Sequence, residues 1–509
     1  MNDRILFWID AGLMHLGIAK NLQEKLDADF YAIYDFNNHL TKSFKDQKIV
    51  NFKKEWYFWE NLSVLTKNID IEYLKKFEDT YKINLWEMAY SERAFGKDNP
   101  FHKFKKNEIL SIFEQECKFF EKVLNEIKPT YLIISTTDLH RNHLLSELCR
   151  STGVKILMLS ASRLGYRSSI SSLPDMIDWD LDESTVNKIS VNSFDDLKNY
   201  LKKYDKYQQA KKIISGGSGM SFIAKMTQSI KWMIKTFDAE YKKDYVHYGV
   251  SPFSAMTEYI SILLKEKMRK RFIDKFFIHK LPLNEKFLFF PLQVQPERNV
   301  DIGAPFYANQ IEVIGYVAKS LPVDCKLYVK EHPQMNHRHW REISDYKKIM
   351  DLPNVKLIHP SVDPKLLLDT CSIVINIAGT AGLEAALYEK PSIVFSDVIY
   401  SSLPSVYRLK SLEDLPNAIK ESLKIKVKLL DVIEFINLVD RNTFEFDFFG
   451  HFKKILNEFH GGGFLISNKI SMNDLKIFFE KNKEDYTILA LEHIKKINQY
   501  KKLEKSDCL

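Results

Sequence analysis

The chain has 509 residues, more than one hydrophobic core usually organises, so we expect two domains with some helical additions. Hydrophobic residues make up 45% of the chain and charged residues 28%, which is typical of a globular protein and argues against long disordered tracts. The 74 basic and 67 acidic residues leave a formal charge of +7, too small an excess to indicate nucleic acid binding but compatible with an anionic ligand or a membrane surface.

The N-terminal segment predicts a strand, a tight loop and a helix. An apolar run that begins at Arg4 ends at Asp10, a loop with Gly12 and Gly17 follows, and positions 18–26 have helical spacing. This direct entry into a strand is unlike a secretion signal, and no run of about eighteen apolar residues predicts a membrane span. Because the five cysteines form no C-x-x-C pair, a cytoplasmic location is expected, with any membrane contact peripheral.

A β-α-β arrangement is predicted further along the N-terminal half. Positions 131–135 form a buried strand, a helix lies around 144–150, and the next strand covers 154–159. Ligands bind at the carboxyl edge of such sheets, and Asp138 lies in the loop after the first of these strands. We therefore predict an N-terminal Rossmann-like domain over residues 1–185, with Asp138 either at its ligand-binding edge or capping the following helix.

The rest of the chain divides into three predicted regions. Residues 186–285 form a helical connection, interrupted by glycines at 216–219, with an apolar stripe over 222–237 that fits a protein core or, less often, an anionic bilayer surface. Residues 426–509 form a helical segment that braces the first domain or mediates assembly. Between them, residues 286–425 form a second Rossmann-like domain, with strands at 287–290, 326–329, 355–358, 373–377 and 392–395.

The strongest local motif is Lys330-Glu331-His332-Pro333, directly after the predicted strand 326–329. A lysine and a histidine two positions apart at a strand end are suited to hold an anionic phosphate. An ordinary strand-end turn held by Pro333 is an equally frequent explanation.

A second motif follows about fifty residues later, where the predicted strand 373–377 leads into Gly379-Thr380-Ala381-Gly382 and then a helix. Helix N-terminal amides bind phosphate without a metal, and Thr380 either adds a hydroxyl or caps the helix. Glu384 lies one turn into the helix, where a carboxylate can accept hydrogen bonds from ribose hydroxyls. The alternative is an ordinary capped β-α turn.

Together with the segment 289–297, which contains Pro296-Glu297, these motifs resemble the capsule polysaccharide biosynthesis family, which includes the bacterial β-Kdo transferases. In that family a proline-glutamate segment, a Lys-x-His-Pro motif and a Ser/Gly-Thr-Ala-Gly-x-Glu-Ala motif occur in this order. The segment 390–395, with Tyr400 beyond it, is also similar to the family's pattern.

The resemblance implies a GT-B fold, in which two Rossmann-like α/β domains face each other across a cleft. The C-terminal domain would hold a nucleotide-sugar donor and the N-terminal domain the acceptor. Carried over to matching positions, the donor-binding residues are Lys330, His332, Gly379, Thr380, Gly382 and Glu384.

The implied activity is a glycosyltransferase of capsule or other surface-polysaccharide synthesis. Such a transfer needs a stabilised leaving phosphate, a task for His332, and a base for the acceptor hydroxyl. Asp138 is the expected base, His140 and His143 are rivals, and His15 either lines the acceptor side or fills a turn.

No metal cage is evident, so we expect an inverting, metal-independent reaction. The nucleotide-sugar is expected to be a co-substrate, and no cofactor is expected. A CMP-activated acidic sugar such as Kdo is favoured, because a nucleoside monophosphate leaves with less charge to compensate. The expected acceptor is a glycan or a lipid-linked glycan on the inner face of the membrane, and nucleic acid is not an expected partner. The alternatives are a phosphotransferase or nucleotide-sugar epimerase on the same fold, or a non-catalytic capsule assembly or export protein.

Overall fold

In the computed structural model, the described residues are 2–36, 38–62, 68–96, 99, 102–162, 164–165, 167–179, 189–202, 252–282, 285–338, 340–460 and 470–506. They form two compact units. The N-terminal unit comprises the described residues up to 179, residues 252–255 and those from 442 onward, and the C-terminal unit comprises those of 189–202 and 256–441. The glycines at 216–219 and the apolar stripe over 222–237 lie outside the described residues.

The N-terminal unit is built on a seven-stranded sheet. Its strands are β1 (Asp3–Asp10), β2 (Ala28–Asp35), β3 (Lys54–Tyr57), β4 (Tyr131–Ser135), β5 (Lys155–Ala161), β6 (Arg167–Ser171) and β13 (Phe444–Glu445). Its first helices are α1 (Met14–Gln23), α2 (Asn38–Phe44), α3 (Ile71–Tyr81), α4 (Leu85–Ser91), α5 (Lys106–Ile127) and α6 (His140–Ser151).

The spatial order of these strands is β13-β6-β5-β4-β1-β2-β3. Strands β1 to β5 pair in parallel, whereas β6 pairs antiparallel with both β5 and β13. Without β13, this is the 3-2-1-4-5-6 order of a Rossmann fold, in which the chain changes direction across the sheet between β1 and β4. Ligands bind at the carboxyl ends of the strands beside that switch point.

Both faces of this sheet are covered, which explains the uninterrupted apolar run of β1. Ile5 and Phe7 belong to one hydrophobic cluster, while Leu6 and Trp8 belong to the other. Alternate side chains of a strand point to opposite faces, so a strand covered on both sides needs apolar residues at every position.

The last residues of the chain pack on this sheet. From residue 442 onward the described residues form β13 and the helices α16 (Phe448–Phe459), α17 (Met472–Lys481) and α18 (Lys483–Ser506). Tyr486 and Leu489 of α18 join the same buried cluster as Phe7, and a Cβ on Gly17 of α1 would overlap the Tyr486 ring. The predicted helical segment 426–509 is therefore divided: residues up to 441 belong to the C-terminal unit and the rest cover the N-terminal sheet.

The C-terminal unit is built on a six-stranded sheet in which every pairing is parallel. Its strands are β7 (Phe287–Pro291), β8 (Lys326–Lys330), β9 (Val355–Ile358), β10 (Ile373–Asn376), β11 (Ser392–Val394) and β12 (Val406–Arg408). Its helices are α7 (Phe194–Leu201), α8 (Pro252–Phe276), α9 (Arg298–Asp301), α10 (Gln310–Ser320), α11 (Ile343–Met350), α12 (Pro364–Thr370), α13 (Ala381–Leu387), α14 (Leu415–Ser422) and α15 (Leu429–Arg441).

The spatial order in this sheet is β12-β11-β10-β7-β8-β9, again the 3-2-1-4-5-6 order. Its switch point lies between β7 and β10. The predicted fold class, α/β with two Rossmann-like units and added helices, is confirmed. Among the helices of the described residues, none is long and apolar enough to cross a membrane.

Candidate active site

The two C-terminal motifs follow strands of one sheet and lie at the same edge. The Lys330-Glu331-His332-Pro333 motif begins at the last residue of β8, and the Gly379-Thr380-Ala381-Gly382 turn joins β10 to α13. Strand β7 lies between β8 and β10. The loop after β7, which contains Gln293, therefore separates the two motifs.

Lys330 and Glu331 are both buried, which is rare for charged side chains unless they are paired. The Lys330 ammonium donates to the carbonyl oxygen of Pro360 at 3.0 Å, and burial lowers the pKa of Lys330 to about 8. The Glu331 carboxylate accepts from Arg341 Nε at 3.0 Å and from the Tyr346 hydroxyl at 2.7 Å. Glu331 thus holds the loop of the motif in place.

His332 has a defined tautomer when it is neutral. Its backbone N–H donates to Glu331 Oε1 at 2.8 Å, and its Nδ1 accepts the backbone N–H of Gln334 at 3.1 Å. Because Nδ1 is an acceptor in this bond, the ring proton of the neutral imidazole lies on Nε2. The neutral ring of His332 is therefore a hydrogen-bond donor at Nε2, the kind of group that can bind a phosphate oxygen.

Arg341 connects the two motifs through the β7 loop. Besides Glu331, its guanidinium donates to Gln295 Oε1 at 3.1 Å and to the carbonyl oxygen of Gln293. Gln310 completes this arrangement, because its amide donates to the Gln293 carbonyl at 3.0 Å and to Gln295 Oε1 at 2.8 Å. All of these groups lie at the carboxyl edge of the sheet, and their hydrogen bonds compensate for the loss of water.

The side chain of Gln293 reaches the second motif. In the orientation that satisfies its neighbours, its amide oxygen accepts the backbone N–H groups of Gly379 and of Ala378, the latter at 3.2 Å. Gly379 N–H also donates to Asn376 Oδ1 at 2.7 Å, and Asn376 donates to the Tyr400 hydroxyl at 3.2 Å. The backbone N–H groups at the start of this turn therefore have acceptors within the protein.

The two glycines of the turn are required by close packing. A Cβ on Gly379 would overlap the Gln293 amide, and a Cβ on Gly382 would lie 2.7 Å from the Tyr400 ring and 2.9 Å from Ser392 Oγ. Within the turn, the Thr380 hydroxyl donates to the carboxylate of Glu384 at 3.1 Å, and Glu384 is exposed. Thr380 occupies the N-cap position of α13, but its side chain makes no capping hydrogen bond.

At the carboxyl edge of the N-terminal sheet, the ends of β1, β2 and β4 carry charged groups. Asp10 and Asp35 lie opposite each other at the ends of β1 and β2. Asp35 accepts from Arg141 Nε at 2.8 Å and from Trp59 Nε1 at 2.9 Å. Burial, followed by the negative charge of Asp35, raises the pKa of Asp10 to about 7.

Asp138, the predicted base, is exposed in the loop after β4. Its carboxylate accepts from the Arg93 guanidinium at 2.9 Å and from Asn142 Nδ2 at 3.3 Å. It does not occupy the N-cap position of α6, which is Leu139. Both oxygens of Asp138 therefore have protein partners.

His140 is enclosed between two buried glutamates. Its Nδ1 lies 2.7 Å from Glu92 Oε2 and its Nε2 lies 3.0 Å from Glu116 Oε1. Burial alone would lower the pKa of His140, but the carboxylates of Glu116 and Glu92 raise it to about 9. Burial likewise opposes the charge of Glu92, and the charge of His140 lowers the pKa of that carboxyl to about 2. Glu92, His140 and Glu116 thus form a buried charged trio, in which both ring nitrogens of His140 contact a carboxylate.

The remaining two histidines of the prediction lie apart from this trio. His15 is buried in α1 with Nε2 at 3.5 Å from Ser135 Oγ, and burial together with the nearby His493 lowers its pKa to about 3. His143 is partly exposed on α6, with Nε2 at 3.8 Å from Glu147. His15 is therefore neutral, whereas His143 lies on the helix surface.

Several polar residues at both edges lie outside the sequence motifs. Asp10 stands out in the sequence only as a strand end, and Arg341 lies in no motif. Gln293 is within a segment used for the resemblance, and that position is the one signal that pointed to it. Among the described residues, no group of three or more histidine, cysteine, aspartate or glutamate side chains could hold a metal ion.

Comparison with solved structures gives distant likenesses. The Methanocaldococcus jannaschii UDP-GlcNAc 2-epimerase in complex with UDP-GlcNAc and UDP is 12% identical with a TM-score of 0.25, over 86% of this chain and 99% of that chain. The Thermosulfurimonas dismutans KpsC β-Kdo 2,7 transferase is 13% identical with a TM-score of 0.27, over 64% and 89%. The N-terminal domain of Candida albicans trehalose-6-phosphate phosphatase is 11% identical with a TM-score of 0.27, over 94% and 96%.

No curated protein sequence matches the chain. A family match does exist, and it covers the region that holds both C-terminal motifs. Residues 181–414 match the sequence model of the family described as "Capsule polysaccharide biosynthesis protein". The predicted resemblance is therefore confirmed for this part of the chain.

Proposed function

We propose that this protein is a glycosyltransferase of capsule or related surface-polysaccharide synthesis, with the donor nucleotide on the C-terminal unit. The observation that carries the proposal is the meeting of the family's motifs at one switch point. Hydrogen bonds run from Glu331 through Arg341 to Gln293 and on to Gly379. Residues 80 to 90 positions apart in sequence are thus held together where Rossmann-like sheets bind nucleotides.

In the proposed reaction, the C-terminal unit stabilises the departing nucleotide phosphate. His332 donates from Nε2 to a phosphate oxygen, and Lys330 supplies positive charge beside it. A preorganised donor in a water-poor site stabilises a developing charge more strongly than water does, since it needs no reorganisation. The half-buried Thr380 and the exposed Glu384, beside the same edge, are proposed to contact the nucleoside.

The acceptor is proposed to bind the N-terminal unit. An acceptor hydroxyl attacks the anomeric carbon, the bond from that carbon to the phosphate oxygen breaks, and the electron pair leaves with the nucleotide. With one displacement the configuration inverts. Charge compensation by Lys330 and His332 favours a nucleoside monophosphate as leaving group, so a CMP-activated acidic sugar such as Kdo is the proposed donor.

We also propose a cytoplasmic location, with the acceptor a glycan or a lipid-linked glycan at the inner face of the membrane. A membrane-linked acceptor requires only peripheral contact. Centrifugation of cell extracts would test this: the protein should partition between the soluble and the membrane fraction and leave the membrane in high salt, because salt screens contacts to anionic lipid.

Titration calorimetry with CMP, UDP and GDP tests the nucleotide site. We expect one nucleotide to bind selectively, and His332→Ala to lower kcat with the matching nucleotide-sugar by about 10²- to 10³-fold. His332→Gln, which keeps an N–H donor near the position of Nε2, should retain more activity. Unchanged turnover in His332→Ala would remove His332 from the mechanism, and no nucleotide binding would refute the proposal.

Product analysis separates the alternative activities. A transferase releases nucleotide only together with a new glycosidic bond, and therefore only when an acceptor is present. An epimerase changes the sugar without an acceptor, and a phosphotransferase moves phosphate to the acceptor. If His332→Ala leaves cellular glycan unchanged while deletion of the protein abolishes it, the protein acts in assembly or export without catalysis.

A further inference from the structure

Asp10 lies at the switch point of the N-terminal sheet. It is the last residue of β1, and the pairing of Phe7 with Ile133 puts the end of β1 beside the loop that follows β4. The chain runs from β1 outward through β2 and β3 and then returns to β4 on the other side of β1. The loops after β1 and β4 thus diverge, and a ligand in the crevice between them contacts the end of β1.

The loop that carries Asp10 is held in one conformation. Leu13 has a φ of 54°, in the left-handed region, and its N–H donates to the Asp10 carbonyl at 3.0 Å. The buried His460 contacts the carbonyl oxygen of Ala11 through Nε2 at 2.8 Å. Gly12 N–H donates to Asp10 Oδ1 at 2.9 Å, and a Cβ on Gly12 would lie 2.8 Å from that oxygen. The loop thus orients Asp10 Oδ1. Among the described residues, no hydrogen-bond donor to Asp10 Oδ2 is found.

The charged groups around Asp10 favour a protonatable carboxyl. Asp35 faces it from β2, Asp138 from the loop after β4, and Arg141 from α6. Burial and the two aspartates raise the pKa of Asp10, whereas Gly12 N–H and Arg141 lower it, and the result is about 7. His460 adds no charge near neutral pH, because burial lowers its pKa. A general base is most effective when its pKa lies near the working pH.

We propose that Asp10 is the residue that takes the proton from the acceptor hydroxyl, an assignment that rests on the proposed glycosyltransferase function. As the hydroxyl oxygen bonds to the anomeric carbon and the bond to the nucleotide phosphate breaks, the proton moves to Asp10 Oδ2. The carboxyl then returns the proton to water after product leaves. Asp138 is the poorer base, since Arg93 and Asn142 occupy its oxygens and its side chain is exposed.

The raised pKa of Asp10 has a cost in stability. The pKa is about 7 in the folded chain against an ordinary value of 3.8, so the folded protein holds its proton more tightly than the unfolded chain. The folded state therefore loses stability as the pH rises from about 4 to about 7. Asp10→Asn removes this charge, so the variant should melt at a higher temperature than wild type at pH 8, with a smaller difference at pH 5. A residue kept for activity at the expense of stability behaves in this way.

The test compares Asp10→Asn with Asp138→Asn in full-length protein. The probes are CMP-Kdo, CMP-N-acetylneuraminic acid and UDP-GlcNAc, each with fluorescently tagged sugar acceptors. We expect Asp10→Asn to lower kcat at least about 100-fold, with the dissociation constant for CMP or UDP within twofold of wild type. Asp138→Asn should lose less activity. Asp29→Asn, at the amino end of β2 and 3.7 Å from Lys53, is the control that should leave activity unchanged.

The pH profile supplies the second readout. In wild type, kcat/KM should fall as the pH decreases through about 7, and this acid limb should be absent in Asp10→Asn. Asp10→Glu should restore part of the rate together with the limb. A larger loss in Asp138→Asn than in Asp10→Asn, or an unchanged profile in Asp10→Asn, would overturn the assignment while leaving the glycosyltransferase function standing. If wild type turns over none of the probes and binds no nucleotide, the proposed function and this assignment fall together.

Discussion

The two sheets share one strand order, yet the polar groups at their carboxyl edges differ in kind. The N-terminal edge holds ionisable groups, among them Asp10, Asp35 and Arg141. The C-terminal edge is joined mainly by amides, those of Gln293, Gln295, Gln310 and Asn376, with one buried ion pair between Glu331 and Arg341. The amides that join the C-terminal loops do not titrate near neutral pH, and Lys330, whose pKa is about 8, bonds to the Pro360 carbonyl outside this network. The N-terminal groups include two with pKa values of about 7 and about 9.

This difference fits the two tasks proposed for the sheets, donor-nucleotide binding at the C-terminal edge and acceptor activation at the N-terminal edge. Fixed dipoles and a buried ion pair hold loops at constant geometry over a wide pH range, as the binding of a nucleotide requires. A carboxyl with a raised pKa can accept and release a proton, as the activation of an acceptor requires. Three substitutions test whether the two edges are distinct in this physical sense.

The largest effect is expected from breaking the ion pair of the C-terminal edge. Arg341→Met leaves the fully buried Glu331 without its cation and should cost about 3–5 kcal/mol of unfolding free energy. Urea unfolding would measure this loss of free energy. Hydrogen exchange in peptides of β7 and β8 would show that the loss lies in the C-terminal unit.

The double variant Glu331→Gln with Arg341→Met should recover part of the loss, because no uncompensated charge remains. Lys348→Met, at an exposed ion pair of 3.7 Å with Asp345, should change stability by less than about 1 kcal/mol. Equal losses in the single and the double variant would show that Arg341 acts by packing and not by charge.

The N-terminal edge should respond to pH through His140. Its pKa is about 9 in the folded protein against 6.5 ordinarily, so its contribution is fully present below pH 6.5 and is lost as the pH rises through about 9. Each pKa unit is worth about 1.4 kcal/mol, which gives about 3 kcal/mol in all. The difference in stability between wild type and His140→Gln should therefore shrink from pH 6 to pH 10.

Thermal melts in steps of one pH unit would measure this difference. His143→Gln on the same helix is the matched control, because His143 is partly exposed and 3.8 Å from Glu147. A constant difference between wild type and His140→Gln over this range would mean that His140 is neutral between its two glutamates.

A smaller effect is expected from filling the space at Gly382. Gly382→Ala would bring its Cβ to 2.7 Å from the Tyr400 ring, and overpacking of this kind costs about 1–3 kcal/mol. Gly315→Ala in α10 is the contrasting variant, because nothing lies within 4 Å of its Cβ and alanine favours a helix by about 0.5–1 kcal/mol. Chemical denaturation should show opposite signs for the two variants, and equal signs would contradict the close packing of Tyr400.

Most of the strands could be predicted from local patterns. The predicted strands 131–135 and 355–358 coincide with β4 and β9, because apolar runs of this length in a sheet covered on both faces leave little ambiguity. The helix predicted over 18–26 instead spans Met14–Gln23, since Gly17 serves contact with Tyr486 and not a loop. Strand β13, only two residues long, has no pattern of its own and exists through pairing with β6.

The site could be predicted only in part. The two C-terminal motifs were recognisable because each follows an apolar strand and contains residue types suited to phosphate. Glu331 occupies the variable position of the Lys-x-His-Pro pattern, and only its contacts with Arg341 and Tyr346 in the folded chain give it a role. Asp10 ends β1 and Asp138 lies in the loop after β4, and nothing in their local sequences tells which carboxylate is solvated and paired.

The sequence by itself determined where most of the strands lie, the order of the motifs and the position of each motif after a strand, because these depend on residues close together in the chain. Only the tertiary structure decided that β10 lies beside β7 and β4 beside β1, which creates the two switch points. It also decided that Asp10 titrates near pH 7 and that the last helices cover the first sheet. Burial and the proximity of charges arise between residues far apart in sequence, so no local pattern records them.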